Sequence, residues 1–138
     1  MSIGKFVLNV VVAYFAYGVL YTIGTMVFAD QFGAMAVALK PEETILMPEM
    51  AYHLVQTIVV VWLFNKAVGS GDMKAGAMFG AMVGLYLLAS DAIWYVSLAD
   101  FPQDARMVQG ALHLVVGALV GVVLAFMQGK GWGSAAEA

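Results

Sequence analysis

Asp91 and His113 are titratable side chains set inside long apolar runs, Leu87-Leu88-Ala89-Ser90-Asp91-Ala92-Ile93-Trp94 and Ala111-Leu112-His113-Leu114-Val115-Val116-Gly117. A carboxylate and an imidazole can bind, release or pass a proton, and such groups within a membrane mark binding sites or relays. Helical rise puts Asp91 roughly 13 Å and His113 roughly 12 Å below the outer surface. A charged group at such a depth costs about 2.5–3.5 kcal/mol on insertion scales, so it turns inward. His53 repeats the motif in Ala51-Tyr52-His53-Leu54-Val55. Tyr14, Tyr17, Tyr21 and Thr25 add a hydroxyl-bearing stripe at i, i+3, i+7 and i+11, and Tyr95 lies one turn beyond Asp91. Asp91, His113, His53, Tyr21, Tyr17 and Tyr95 are therefore the candidates for a ligand-binding or proton-relay cavity. A structural role, with each polar group hydrogen-bonded inside a packing seam, is the competing account.

The elements that position these residues follow from composition. The chain of 138 residues is 63% hydrophobic and 11% charged, with a mean hydropathy of +0.90. A soluble domain is about 45–50% apolar and about 25% charged, so the surplus apolar surface must face lipid. Cysteine is absent, which excludes disulfides, thiolate metal sites and cysteine nucleophiles. The net charge of −3 gives nucleic acid no electrostatic basis for binding.

Four spans are expected, over about residues 6–29, 48–66, 75–98 and 105–128, each near the ~20 residues a bilayer crossing needs. They make an all-α, polytopic membrane four-helix bundle in a single domain. Pro48 is placed in the first turn of the second span, and Gly69-Ser70-Gly71-Asp72 in a tight turn. The apolar start of the first connection, residues 32–39, suits a short interfacial helix or a re-entrant segment. The tail from Gly129 is rich in small residues and is expected to fray. Ala34-Met35-Ala36 could end a cleaved leader, but the first span exceeds the about 7–15 apolar residues of a signal peptide and is expected to be retained. Lys5, Lys66, Lys74 and Lys130 fall on one side and Lys40 and Arg106 on the other, which places both termini in the cytoplasm.

Two seams stand out on helical spacing. Gly76, Gly80, Gly84, Leu87, Asp91 and Tyr95 share one face of the third span, and His113, Gly117 and Gly121 share one face of the fourth. Small residues four apart let helix backbones approach closely in a bilayer. The halves 1–70 and 71–138 also read as a repeated two-helix unit, with Ala29-Asp30 matching Ala99-Asp100 and the two His motifs matching each other. Two-span units insert in the same orientation, which is a parallel repeat. It would set His53 and His113 on opposite sides of a pseudo-two-fold axis.

The run Ala-Leu-His-Leu-Val-Val-Gly-Ala-Leu-Val-Gly-Val-Val-Leu at residues 111–124 resembles the closing helix of an uncharacterised family of small bacterial four-span membrane proteins, a domain of unknown function. The Gly-rich third span and the Tyr-containing first span are similar to that family as well. The resemblance implies the four-span fold and a bacterial inner membrane. It implies no activity.

Three classes of function are compatible with these residues. An Asp/His/Tyr cavity could bind or translocate a small molecule or a proton. His53 and His113 could be the two axial ligands of a haem, with Gly117 leaving room for the porphyrin edge. The bundle could be a structural or accessory subunit whose glycine seams hold another membrane chain or a second copy of itself. The spacing of the residues supplies no nucleophile beside a base, no metal cluster and no phosphate loop, so binding or translocation is expected ahead of catalysis.

Overall fold

The computed structural model describes residues 2–36, 42–97 and 102–134. The side chains of Trp94 and Tyr95 fall outside the described set, and with them the place of Tyr95 in the expected cavity. The protein is all-helical: α1 spans Ile3–Val27, α2 Ala29–Ala36, α3 Glu42–Ala67, α4 Met73–Ser97 and α5 Gln103–Gly129. Four of these, all but α2, are long and apolar enough to cross a membrane. Most of their large apolar side chains stay on the outside of the bundle, Phe15, Val19, Met82 and Val115 among them. This is the inverse of a soluble core and what a lipid solvent selects.

α4 and α5 form the tightest pair, and the two glycine seams are the reason. They run antiparallel with Gly76 against Gly121, Gly80 against Gly117 and Gly84 against the backbone of His113, and a Cβ added at any of the three would collide with the carbonyl opposite. Gly110 continues the register by receiving the Leu88 side chain, whose Cδ1 lies 2.7 Å from where a Cβ would stand. α1 and α3 pack around this pair through Val10, Ala13, Val61 and Phe64, which meet Val116, Val120 and Leu124 of α5. That core sits toward the end holding both chain termini. Away from it no described residue of α3 is buried, and Tyr52, Leu54 and Val55 are all exposed.

Several local features differ from the sequence expectation. α3 begins at Glu42, so Pro48 stands inside the helix and not in its first turn. Its ring nitrogen forgoes one bond, to the Thr44 carbonyl, on a face where Thr44 is exposed, and the helix runs on. α2 is the short helix of the first connection, seating buried Met35 on Ala105 of α5. The turn into α4 uses Gly69 at φ 56°, a left-handed conformation suited to glycine. Asp72 then caps α4, its Oδ1 accepting the amides of Lys74 at 2.9 Å and Ala75 at 3.2 Å.

The tail does not fray up to Ser134. Asn9, buried in α1, donates to the Trp132 carbonyl at 3.0 Å and accepts the Ser134 amide at 3.1 Å. Asn65 of α3 donates to the Ser134 hydroxyl at 2.6 Å, and Ser134 is fully buried. A buried amide side chain must be satisfied, and here the backbone after α5 does it. Trp132 remains exposed, edge-on to Phe126, as a headgroup anchor would be.

Candidate functional site

Three polar residues of the spans are linked in a row. The Tyr17 hydroxyl of α1 lies 2.7 Å from Nδ1 of His113, and Nε2 of His113 lies 3.1 Å from Oδ2 of Asp91. His113 is buried, while the Asp91 side chain keeps 36% of its surface exposed. Three helices contribute, and the glycine seam sets the distances. His113 follows Gly117 and Gly121 on its face, and Asp91 follows Gly84 on the other, so both side chains stand at one end of the zipper. Helical side chains lean toward the N-terminus of their own helix. In an antiparallel pair these leans oppose, which brings the Asp91 carboxyl and the His113 ring toward each other.

The relay separates two concave spaces. On one side is a cleft of about 520 Å³ bounded by α1, α3 and the α4–α5 pair. Tyr17, Tyr21, His53, Gln56, Thr57 and Glu49 bring its polar groups; most of the remaining wall is apolar, including Val60, Phe79, Val120 and Leu124. On the other side is a groove of about 300 Å³ between α4 and α5 that holds Asp91 and Arg106. His113 lines neither space. It sits between Tyr17, which faces the cleft, and Asp91, which faces the groove.

Each member can exchange protons with the next. With Asp91 ionised, the neutral imidazole donates Nε2–H to the carboxylate and its Nδ1 accepts the Tyr17 O–H. With one more proton on the His113–Asp91 pair, Nδ1 carries hydrogen and donates to the Tyr17 oxygen. The two hydrogen bonds accommodate both arrangements with the heavy atoms where they are. Aromatic rings hold the group in place. Tyr21 stacks on Tyr17 with centroids 5.7 Å apart and planes 11° from parallel, and on His113 at 5.6 Å and 25°. Phe32 of α2 meets Tyr21 edge-on at 6.1 Å.

His53 takes a different part from its sequence twin. It is exposed, bonds Gln56 Oε1 through Nδ1 at 3.0 Å, and approaches the Tyr17 ring at 6.2 Å. The same distances bear on the haem alternative: the Tyr17 ring stands 6.2 Å from His53 and 6.4 Å from His113, and both nitrogens of His113 have protein partners. These residues do not present two free imidazoles to one iron. Among the described residues, no three His, Asp or Glu side chains converge as a metal site needs.

Sequence spacing therefore found Asp91, His113, Tyr17, Tyr21 and His53, and the structure brings the first four into contact. It missed Arg106 as a neighbour of Asp91, and Asn9 and Asn65 as the clamp on the tail. Arg106 was legible from the antiparallel register, which sets the start of α5 beside the last turns of α4. Compared with protein-family models, with curated proteins and with solved structures, the chain finds no match.

Proposed function

We propose that this integral membrane protein binds or translocates a lipid-soluble small molecule in the cleft between α1, α3 and the α4–α5 pair, with the Tyr17–His113–Asp91 relay holding or moving a proton beside it. The observation that carries this reading is the position of the relay. A buried imidazole joins a hydroxyl on the cleft wall to a carboxyl in a separate groove. A packing role alone would need one satisfied partner and no second cavity. Intramembrane ionisable groups are expensive and face interiors where they serve binding or proton transfer. A cleft that is mostly apolar with a few convergent polar groups is the usual form of a small-molecule site.

The setting is a bacterial inner membrane with both termini in the cytoplasm. Supporting it, Lys5, Lys66, Lys74 and Lys130 belong to the end where Asn9, Asn65 and the tail meet, and basic residues favour the cytoplasmic side. A second copy of the chain or another membrane subunit would cover part of the exposed α1 and α3 faces.

Gly18 gives the direct test. It lines the cleft, and a Cβ there meets nothing within 4 Å, so a larger side chain enters the cleft without disturbing helix packing. Native mass spectrometry of protein extracted in mild detergent should show a bound small molecule in the wild type and its loss in Gly18→Leu. Gly4→Leu, equally unhindered but outside the cleft, should retain it. A wild-type chain that carries no bound mass, or carries it equally after Gly18→Leu, overturns the proposal.

A further inference from the structure

We infer that the relay switches the hydrogen-bonding character of the cleft, and that the ligand is a flat apolar molecule bearing a carbonyl acceptor, received by Tyr17 when the His113–Asp91 pair holds an extra proton. The inference rests on the reading of the cleft as a binding site and adds the ligand class and its control.

The chemistry follows from the atoms in the row. While Asp91 is ionised and His113 neutral, the Tyr17 hydrogen is spent on Nδ1 at 2.7 Å, and the cleft meets only oxygen lone pairs. With one added proton, the hydrogen between Nε2 and Oδ2, which are 3.1 Å apart, sits on either atom. In either place Nδ1 carries a hydrogen and donates it to the Tyr17 oxygen. The Tyr17 O–H is then released and turns into the cleft, where it can donate to a ligand oxygen. No net charge enters the cleft, and the proton stays with the pair whose carboxyl opens on the groove. If the ligand oxygen itself takes the proton, Tyr17 gives up its hydrogen, regains one from Nδ1, and the pair returns to its starting state with one proton fewer.

The charged and titratable groups that face the His113–Asp91 pair among the described residues are Arg106 of α5, in the same groove as Asp91, and Tyr17 and Tyr21 of α1 against the imidazole. α3 contributes none to the groove lining. Arg106 lies in the first turn of α5, where its long side chain can reach the headgroups, so the groove is the side on which protons exchange with water.

Shape points to a flat ligand. Tyr17 and Tyr21 bring near-parallel rings, 11° apart, to the cleft wall, and Val60, Phe79, Val120 and Leu124 continue that wall. A planar apolar body fits against such surfaces, with its single acceptor at Tyr17.

The experiment uses 9-fluorenone and fluorene, two flat tricyclic probes that differ in one carbonyl, added to the full-length protein in nanodiscs. Binding is followed by equilibrium dialysis, and the fluorenone carbonyl stretch by difference infrared spectroscopy against pH. The expected result is a lowered carbonyl frequency at low pH that disappears as pH rises. At low pH fluorenone should bind at least tenfold more tightly than fluorene. Tyr17→Phe should abolish the lowered band at every pH while both probes still bind. Asp91→Asn removes the carboxylate that accepts from Nε2 of His113, so the band should change in that variant while both probes still bind. Equal binding of the two probes with no carbonyl shift, or a shift that survives Tyr17→Phe, overturns the switch and leaves the cleft as a binding site. Binding of neither probe, with Gly18→Leu making no difference, overturns both.

Discussion

Gly80→Ala puts the geometry of the α4–α5 pair under direct strain. A Cβ at Gly80 would collide with the Gly117 carbonyl oxygen, stand 2.6 Å from its carbon and 3.1 Å from the Ala118 Cα. Ordinary contact begins near 3.4 Å, and every atom met is backbone, so no side chain can turn away. The helices must part by roughly 1 Å, an overpacking that costs about 1–3 kcal/mol. Alanine regains about 1 kcal/mol of helix propensity over glycine, which leaves a net loss of up to about 2 kcal/mol and places the variant about 1–3 kcal/mol below an unhindered Gly→Ala change. Parting the seam also lengthens the bond between His113 and Asp91, from 3.1 Å toward and past the ~3.2 Å at which an N–H···O bond weakens. Unfolding followed by steric trapping in bicelles measures the first effect, and the imidazole signals of His113 measure the second. Gly4→Ala, open on all sides, is the control and should be neutral or slightly stabilising. A Gly80→Ala variant as stable as that control, with His113 unchanged, would refute the close α4–α5 approach and the positioning of the relay by it.

Other perturbations separate the structural residues from the relay. Asn9→Ala removes both bonds that hold the tail at Trp132 and Ser134, leaves buried backbone groups unpaired, and should cost about 1–3 kcal/mol; hydrogen exchange should show the Ser134 amide losing protection, and trypsin should cut sooner at Lys130. Pro48→Ala adds a backbone donor and removes a ring from the interior of α3, so the melting temperature should rise, with a gain of up to about 3 kcal/mol; a lower melting temperature would mean that the ring makes a contact worth more than the helix gains. His53→Ala breaks the exposed bond to Gln56 and ring contacts with Tyr17 and Tyr52, so it should change stability by less than about 1 kcal/mol and leave the His113 signals in place, whereas His113→Ala should strand both Tyr17 and Asp91.

Helical spacing made the seams legible, because a glycine every four residues has one physical use in a bilayer and because Asp91 and His113 lay on the same two faces. It could not tell His53 from His113. The local motifs match, but one and two turns on from His113 stand Gly117 and Gly121, while the same steps from His53 reach Thr57 and Val61. The glycines admit α4 against the imidazole; the branched side chains keep other backbones away and leave His53 exposed. Nor did spacing single out Tyr17 from a stripe of four hydroxyl-bearing residues, since that choice depends on how α1 is rotated against α5. The tail was misjudged for a related reason. Its small residues looked too poor in contacts to order, yet Gly133 and Ser134 fit a buried site that Asn9 and Asn65, on two other helices, create.

The relay itself is most directly tested by nitrogen-15 spectroscopy of His113 in the membrane-embedded protein, with and without Tyr17→Phe and Asp91→Asn. The geometry predicts that both ring nitrogens are hydrogen-bonded, so Tyr17→Phe should shift the Nδ1 signal and Asp91→Asn that of Nε2. An imidazole whose two nitrogens respond to neither substitution would contradict the relay.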